Sequence, residues 1–163
     1  MAEKSKSSTY IYIMIESLEK KIKVLDDILA ANEVQSQILA EGDLDTDRFE
    51  ENLKLKGDLI DELNKLDDGF QDLYDRIKED VTENKAKYKE EIVTMQNLIR
   101  QITDKSVEIQ NGEKKNKDAV IRHFTFMKDG IRKSKVNLSA ASSYYKSMSK
   151  LNHVDSQFLD KRE

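Results

Sequence analysis

The sequence predicts an all-α fold: an antiparallel helical hairpin plus a long third helix, a three-helix bundle or coiled coil with an extended C-terminal helix. Three observations carry that expectation. The 163 residues include no proline and only five glycines, so little interrupts a helix. Charged residues make up 37% of the chain and hydrophobic residues another 37%, a balance that suits long helices with a narrow apolar seam better than a thick globular core. Apolar side chains recur at alternating steps of three and four along most of the length, which places them on one helical face. The whole of 1–163 reads as one helical domain.

Helix two, about 46–82, organises the rest. Its stripe runs through Phe49, Leu53, Ile60, Leu63, Leu66, Phe70, Tyr74, Ile77 and Val81, with Lys56 the one polar interruption. A stripe of two positions in seven cannot be hidden by the helix that bears it, so other helices must cover it.

Helix one, about 8–40, follows a polar start that is expected to fray. Ser7, Ser8 or Thr9 can cap it, and Ile11, Ile15, Leu18, Ile22, Leu25, Leu29 and Leu39 share a face with polar seam positions at Asn32 and Ser36. Gly42 can take positive φ after its end, and Asp43, Asp45, Thr46 and Asp47 suit the next helix start. So short a connection makes helix two antiparallel to helix one. With the turn near residue 44, position i faces about 88 minus i, which sets Leu25 by Leu63, Leu29 by Leu59 and Asn32 by Lys56. Lys56 then donates to the Asn32 side chain or snorkels toward Glu33, or it lies at the rim and covers the seam with its methylenes.

Helix three, about 86–151, needs a break before it, since an unpaired helix from 46 to 151 would leave its seam in water. The polar stretch 82–87 offers one, with Asn84 as a tolerable left-handed residue. Beyond it the period runs from Ile92 through Met95, Ile99, Ile102, Ile109, Val120, Phe124 and Met127 to Leu151, and a tail of 152–163 follows. Ser106, Glu113 and Asn116 make a polar middle to this seam. Gly112 lies beside them, yet the period keeps its phase across it, so it is expected inside a helix.

Chemistry is sparse. There is no cysteine, hence no disulfide framework or thiolate metal site. Carboxylate-bridged metal bundles need a glutamate three residues before each histidine, but Val120 and Lys150 stand there ahead of His123 and His153. No phosphate-binding glycine loop occurs, and scattered helical carboxylates are usually solvated. No catalytic residue, metal site or cofactor is expected. Residues 114–163 hold 12 Lys and Arg against 5 Asp and Glu, a net +7, so with −4 overall the first 113 residues carry −11. Acids interrupt the basic stretch and no groove-binding motif accompanies it, so a solvated face or a complement to the acidic helices is expected rather than nucleic acid. Lys4 and Lys6 precede the apolar run 10–15, which Glu16 ends too early for a signal peptide or a membrane span. A cytoplasmic protein without membrane insertion is the expectation.

Helix three outlasts its partners: its pattern from Tyr88 to Leu151 is about 64 residues, roughly 96 Å, against roughly 50 Å for helix one. The surplus carries Met127, Ile131, Leu138, Tyr144, Tyr145, Met148 and Leu151, rimmed by Lys128, Arg132, Lys133 and Lys135. Uncovered stripes of that kind mark partner sites, and an amphipathic helix could complete the seam. Alternatively the small residues 139–143 bend and the tail folds back, or two chains pair there as a homodimer.

The segment 40–70, AEGDLDTDRFEENLKLKGDLIDELNKLDDGF, resembles the second-helix motif of FlgN-type flagellar export chaperones, with Lys56 at the motif's seam lysine and Leu59, Ile60 and Leu63 at the apolar cluster after it. The ending SSYYKSMSKLNHVDSQFLDKRE is similar to the tails of Firmicute members, matching at Tyr145, Phe158, Asp160 and Lys161. The resemblance implies a cytoplasmic helical chaperone that holds hook-associated proteins, those of the hook–filament junction, and delivers them to the type III export apparatus, binding cargo through its C-terminal helix. Family members often have a loop between the second and third helices that is nearly absent here. A structural coiled-coil scaffold and a FliT-type chaperone of the filament cap are the alternatives.

Overall fold

The structure, a computed structural model, describes the backbone of residues 2–126 and the side chains of residues 6–123. It is an all-α bundle of three long helices: α1 (Ala2–Ala40), α2 (Thr46–Glu83) and α3 (Lys89–Phe126). Each runs roughly 57 Å at 1.5 Å per residue. The extension of helix three to residue 151 and the tail 152–163 lie outside the described residues.

α1 is the middle element. It packs against α2 on one side and α3 on the other, and close backbone approaches are concentrated in those two pairings. Cross-links fix the directions. Lys21 meets Asp67 and Lys56 meets Gln35, numbers running oppositely, so α1 and α2 are antiparallel; the Lys21–Asp67 pair lies on the expected 88-minus-i register. Lys105 meets Asp26 and Asn116 meets Gln35, numbers rising together, so α3 is parallel to α1.

Covering two partners requires a wide stripe, and α1 has one. Ile11, Met14, Leu18, Lys21, Leu25, Ile28, Asn32, Gln35 and Leu39 are buried at steps of three and four. The expected seam positions Ile15, Ile22, Leu29 and Ser36 are not among them. The first three are half-buried at the margin of the core, and Ser36 is exposed. Its seam place is taken by Gln35. On α2 the expected Phe49, Leu53, Lys56, Ile60, Leu63, Phe70 and Ile77 are buried, whereas Leu66, Tyr74 and Val81 are half-buried. On α3 Met95, Ile99, Ile102, Ser106, Ile109, Glu113, Asn116 and Val120 are buried.

The ends differ in detail from expectation. α1 begins at Ala2, so Ser7, Ser8 and Thr9 are inside the helix and do not cap it. Gly42 does not take positive φ, nor does any other described residue. Asp45, one of the acids expected at this helix start, caps α2: its Oδ1 accepts from the Arg48 amide at 3.1 Å. The second turn, 84–88, overlaps the stretch in which the sequence places it. Asn84 has φ −125 and is not left-handed; its side chain donates to the Asp80 carbonyl at 3.0 Å and to Asp80 Oδ1 at 2.8 Å. The buried Tyr88 donates its hydroxyl to Asp80 Oδ2 at 2.9 Å, tying the start of α3 to the end of α2.

Candidate functional site

Midway along the bundle the apolar seam gives way to a polar layer. α1 contributes Asn32 and Gln35, α2 Asn52 and Lys56, α3 Glu113 and Asn116, and all six are buried. Spacings of three or four within each pair put both members on the same helical face at neighbouring levels.

Lys56 is at the centre. Its ammonium is 2.7 Å from Glu113 Oε1 and donates to Gln35 Oε1 at 2.8 Å. Asn116 Nδ2 donates to the same Gln35 oxygen at 3.0 Å and to the Asn32 carbonyl at 3.1 Å. One acceptor on α1 therefore receives donors from both other helices. Asn52 Nδ2 donates to the Ala31 carbonyl at 3.0 Å.

The expected meeting of Lys56 with the Asn32 side chain, its escape toward Glu33 and its place on the rim are all overturned. The chain stays inside because α3 brings a carboxylate to it, and a paired buried ammonium costs far less than an unpaired one. The Asn32 amide group instead lies near Gly112, where an added Cβ would sit 3.5 Å from Nδ2. Asn32 Oδ1 and Nδ2, Gln35 Nε2, Asn52 Oδ1 and Ser106 Oγ have no hydrogen-bond partner among the described residues. Burial pushes the Lys56 amine from its ordinary 10.5 down to about 8, against the pull of the Glu113 carboxylate. With none of its side chain exposed, Lys56 meets no substrate. The layer can fix which helices associate and in what register, the best-attested use of buried polar groups in helical seams.

A second ion pair, Lys21 with Asp67 at 2.7 Å, repeats the device between α1 and α2. Sequence reasoning missed Lys21, Gln35 and Asn52. The uninterrupted three-four series from Ile11 to Leu39 was the available signal for the first two.

At the loop end of the hairpin, His123 Nε2 lies 2.7 Å from the Leu39 carbonyl. A carbonyl only accepts, so this nitrogen carries the proton and caps one of the last carbonyls of α1 from the neighbouring helix. Beside it Leu39, Glu41, Gly42, Asp43, Ala119, Arg122 and His123 line an open cleft of about 470 Å³. The cover given by α1 and α2 ends here, since α1 stops at Ala40 and α2 starts from the same end at Thr46.

The expected cargo-binding residues Met127, Ile131, Leu138, Tyr144, Tyr145, Met148, Leu151 and Phe158 lie outside the described residues, as does His153. Among the described residues no group of three or more His, Cys, Asp or Glu could hold a metal ion. No described helix is long and apolar enough to cross a membrane. Comparison with protein-family models, with curated proteins and with solved structures finds no match.

Proposed function

We propose that the chain is a cytoplasmic chaperone of flagellar type III export, which binds hook-associated proteins and delivers them to the export apparatus. The observation that carries this reading is a mismatch of lengths. The hairpin's cover ends level with His123, while the apolar period of the sequence continues through Met127, Ile131, Leu138, Tyr145, Met148 and Leu151. An amphipathic helix of a secreted subunit, laid against that stripe, completes the seam in the helix-in-groove manner. Lys128, Arg132, Lys133 and Lys135 give the stripe a basic rim for acidic flanks on the cargo. The resemblance of 40–70 and 142–163 to FlgN-type chaperones supports the same choice, and the buried Lys56 occupies the seam-lysine place of that motif.

Co-purification from a flagellated host, with identification of the bound protein, tests the reading. The expected result is a one-to-one complex with a hook-associated subunit. Changing Tyr145→Ser together with Met148→Ser, or ending the chain at Lys135, leaves a helical protein that loses the complex. Undiminished binding by the truncated protein places the site on the hairpin instead. Capture of the filament-cap protein alone identifies the FliT-type alternative. A salt-resistant homodimer that takes no cargo identifies a structural scaffold.

A further inference from the structure

α3 carries a second heptad pattern on the side facing away from the core. Val93, Arg100, Val107, Lys114 and Ile121 recur every seven residues, and Asn97, Asp104, Asn111 and Asp118 follow each of the first four by four. They lie away from the buried series Met95, Ile99, Ile102, Ser106 and Ile109, with Arg100 half-buried and the others exposed. Val93, Val107 and Ile121 are 46%, 48% and 49% exposed and recur at intervals of two heptads, alternating with charged levels.

The order of the levels is self-complementary in one direction only. In a parallel, in-register pair Arg100 meets Arg100 and Asp118 meets Asp118, which repel. Reversing one helix about an axis near residue 109 sets Arg100 against the partner's Asp118, Lys114 against the partner's Asp104, and Val107 against the partner's Asn111. Two-fold symmetry repeats each contact, giving four ion pairs around a central level. Opposite charges at flanking positions select helix orientation in this way in coiled coils.

We propose that this outer face of α3 is a self-association surface, on which a second copy of the chain docks antiparallel through ionic levels on either side of a centre formed by Val107 and Asn111. The dimer is weak and salt-sensitive, because its apolar contacts are few and its ion pairs lie at the surface. The proposal is independent of the cargo reading, uses only residues before Phe126, and leaves the stripe beyond it available.

Charge exchange tests it on the full chain by sedimentation equilibrium. At about 100 µM protein the wild type is dimeric in about 0.05 M salt and monomeric in about 1 M, where the screening length is about 3 Å. Arg100→Glu with Lys114→Glu makes one variant, and Asp104→Lys with Asp118→Lys makes another. Each is monomeric alone with unchanged helical signal, and an equimolar mixture recovers the low-salt dimer, since every level is then oppositely charged. A wild type that is monomeric in low salt, a variant that dimerises alone, or a mixture that stays monomeric overturns the proposal. Val107→Lys, a single exposed change, serves where a double variant loses helicity: its dimer is lost if the proposal holds and kept if it does not.

Discussion

The Lys56 ammonium and Glu113 Oε1, 2.7 Å apart with 0% and 5% of their side chains exposed, join α2 to α3, two helices that pack chiefly on α1 rather than on each other. Removing one partner leaves the other charge buried without compensation, at about 3–5 kcal/mol, whereas replacing both with apolar groups is often neutral or stabilising by roughly 1–4 kcal/mol. Lys56→Met alone is therefore expected to lose several kcal/mol, and Lys56→Met with Glu113→Leu to recover it. Urea unfolding of the four proteins of this cycle measures the coupling. A single variant within about 1 kcal/mol of wild type would show that the pair is not formed in solution.

The same lysine predicts stability that rises in alkali. Its amine titrates at about 8 folded and 10.5 unfolded, so between those values the unfolded chain holds more protons and the unfolding free energy climbs with pH. At 1.36 kcal/mol per unit the gain is about 3 kcal/mol, absent below the lower value and complete above the upper. Subtracting the pH profile of the Lys56→Met, Glu113→Leu variant isolates it from other titrations. A flat difference between pH 8 and 10.5 contradicts the assignment.

Asp80 works in the opposite sense. Hydrogen bonds from Ser7, first, and from Tyr88 and Asn84 hold its carboxyl below the usual carboxylate range. Its contribution is present above the ordinary value of 3.8 and is lost as pH falls through the lowered one. Asp80→Asn should unfold more easily than wild type at neutral pH, with the gap closing in acid. NMR titration of the Asp80 carboxyl reads the shift directly, and a midpoint at or above 3.8 refutes it.

Gly112 lies within α3, and a Cβ there meets only Asn32 Nδ2, at an ordinary 3.5 Å. Gly112→Ala is expected to stabilise by up to about 1 kcal/mol, or roughly 2–4 °C in Tm for a chain of this size. Destabilisation would mean that Asn32 cannot yield to the added methyl group.

Helix type, number and turns were legible because alternating three-four apolar spacing and the absence of proline admit few other readings. The seam of α1 was read one residue off at Ile15, Ile22, Leu29 and Ser36. Tracking apolar residues rewards the marginal isoleucines over Lys21 and Gln35, which the core accepts only because α2 and α3 supply their partners. Pairing had to be known before burial could be. Lys56 was recognised as a seam residue, but its partner Glu113 lies 57 positions away on a helix whose register no local pattern specifies. The turn before α2 lies where the sequence places it, and Asp45, one of the acids expected at that helix start, caps it; only the expected left-handed Gly42 is absent.

Because α1 lies between its neighbours, its two interfaces differ in the time at which they can form. Across the α1–α2 interface the bonds of Lys56 to Gln35 and Lys21 to Asp67 span 21 and 46 positions of chain, whereas those of Lys105 to Asp26, Asn116 to Gln35 and His123 to Leu39 span 79, 81 and 84. Closure entropy grows with the loop, and distant contacts form late. During synthesis the hairpin can be complete while Asn32, Gln35 and Lys56 still await Glu113 and Asn116. α3 is then expected to be the last helix to dock and, by microscopic reversibility, the first to leave, so that hydrogen exchange at its amides should run ahead of exchange in an intact hairpin.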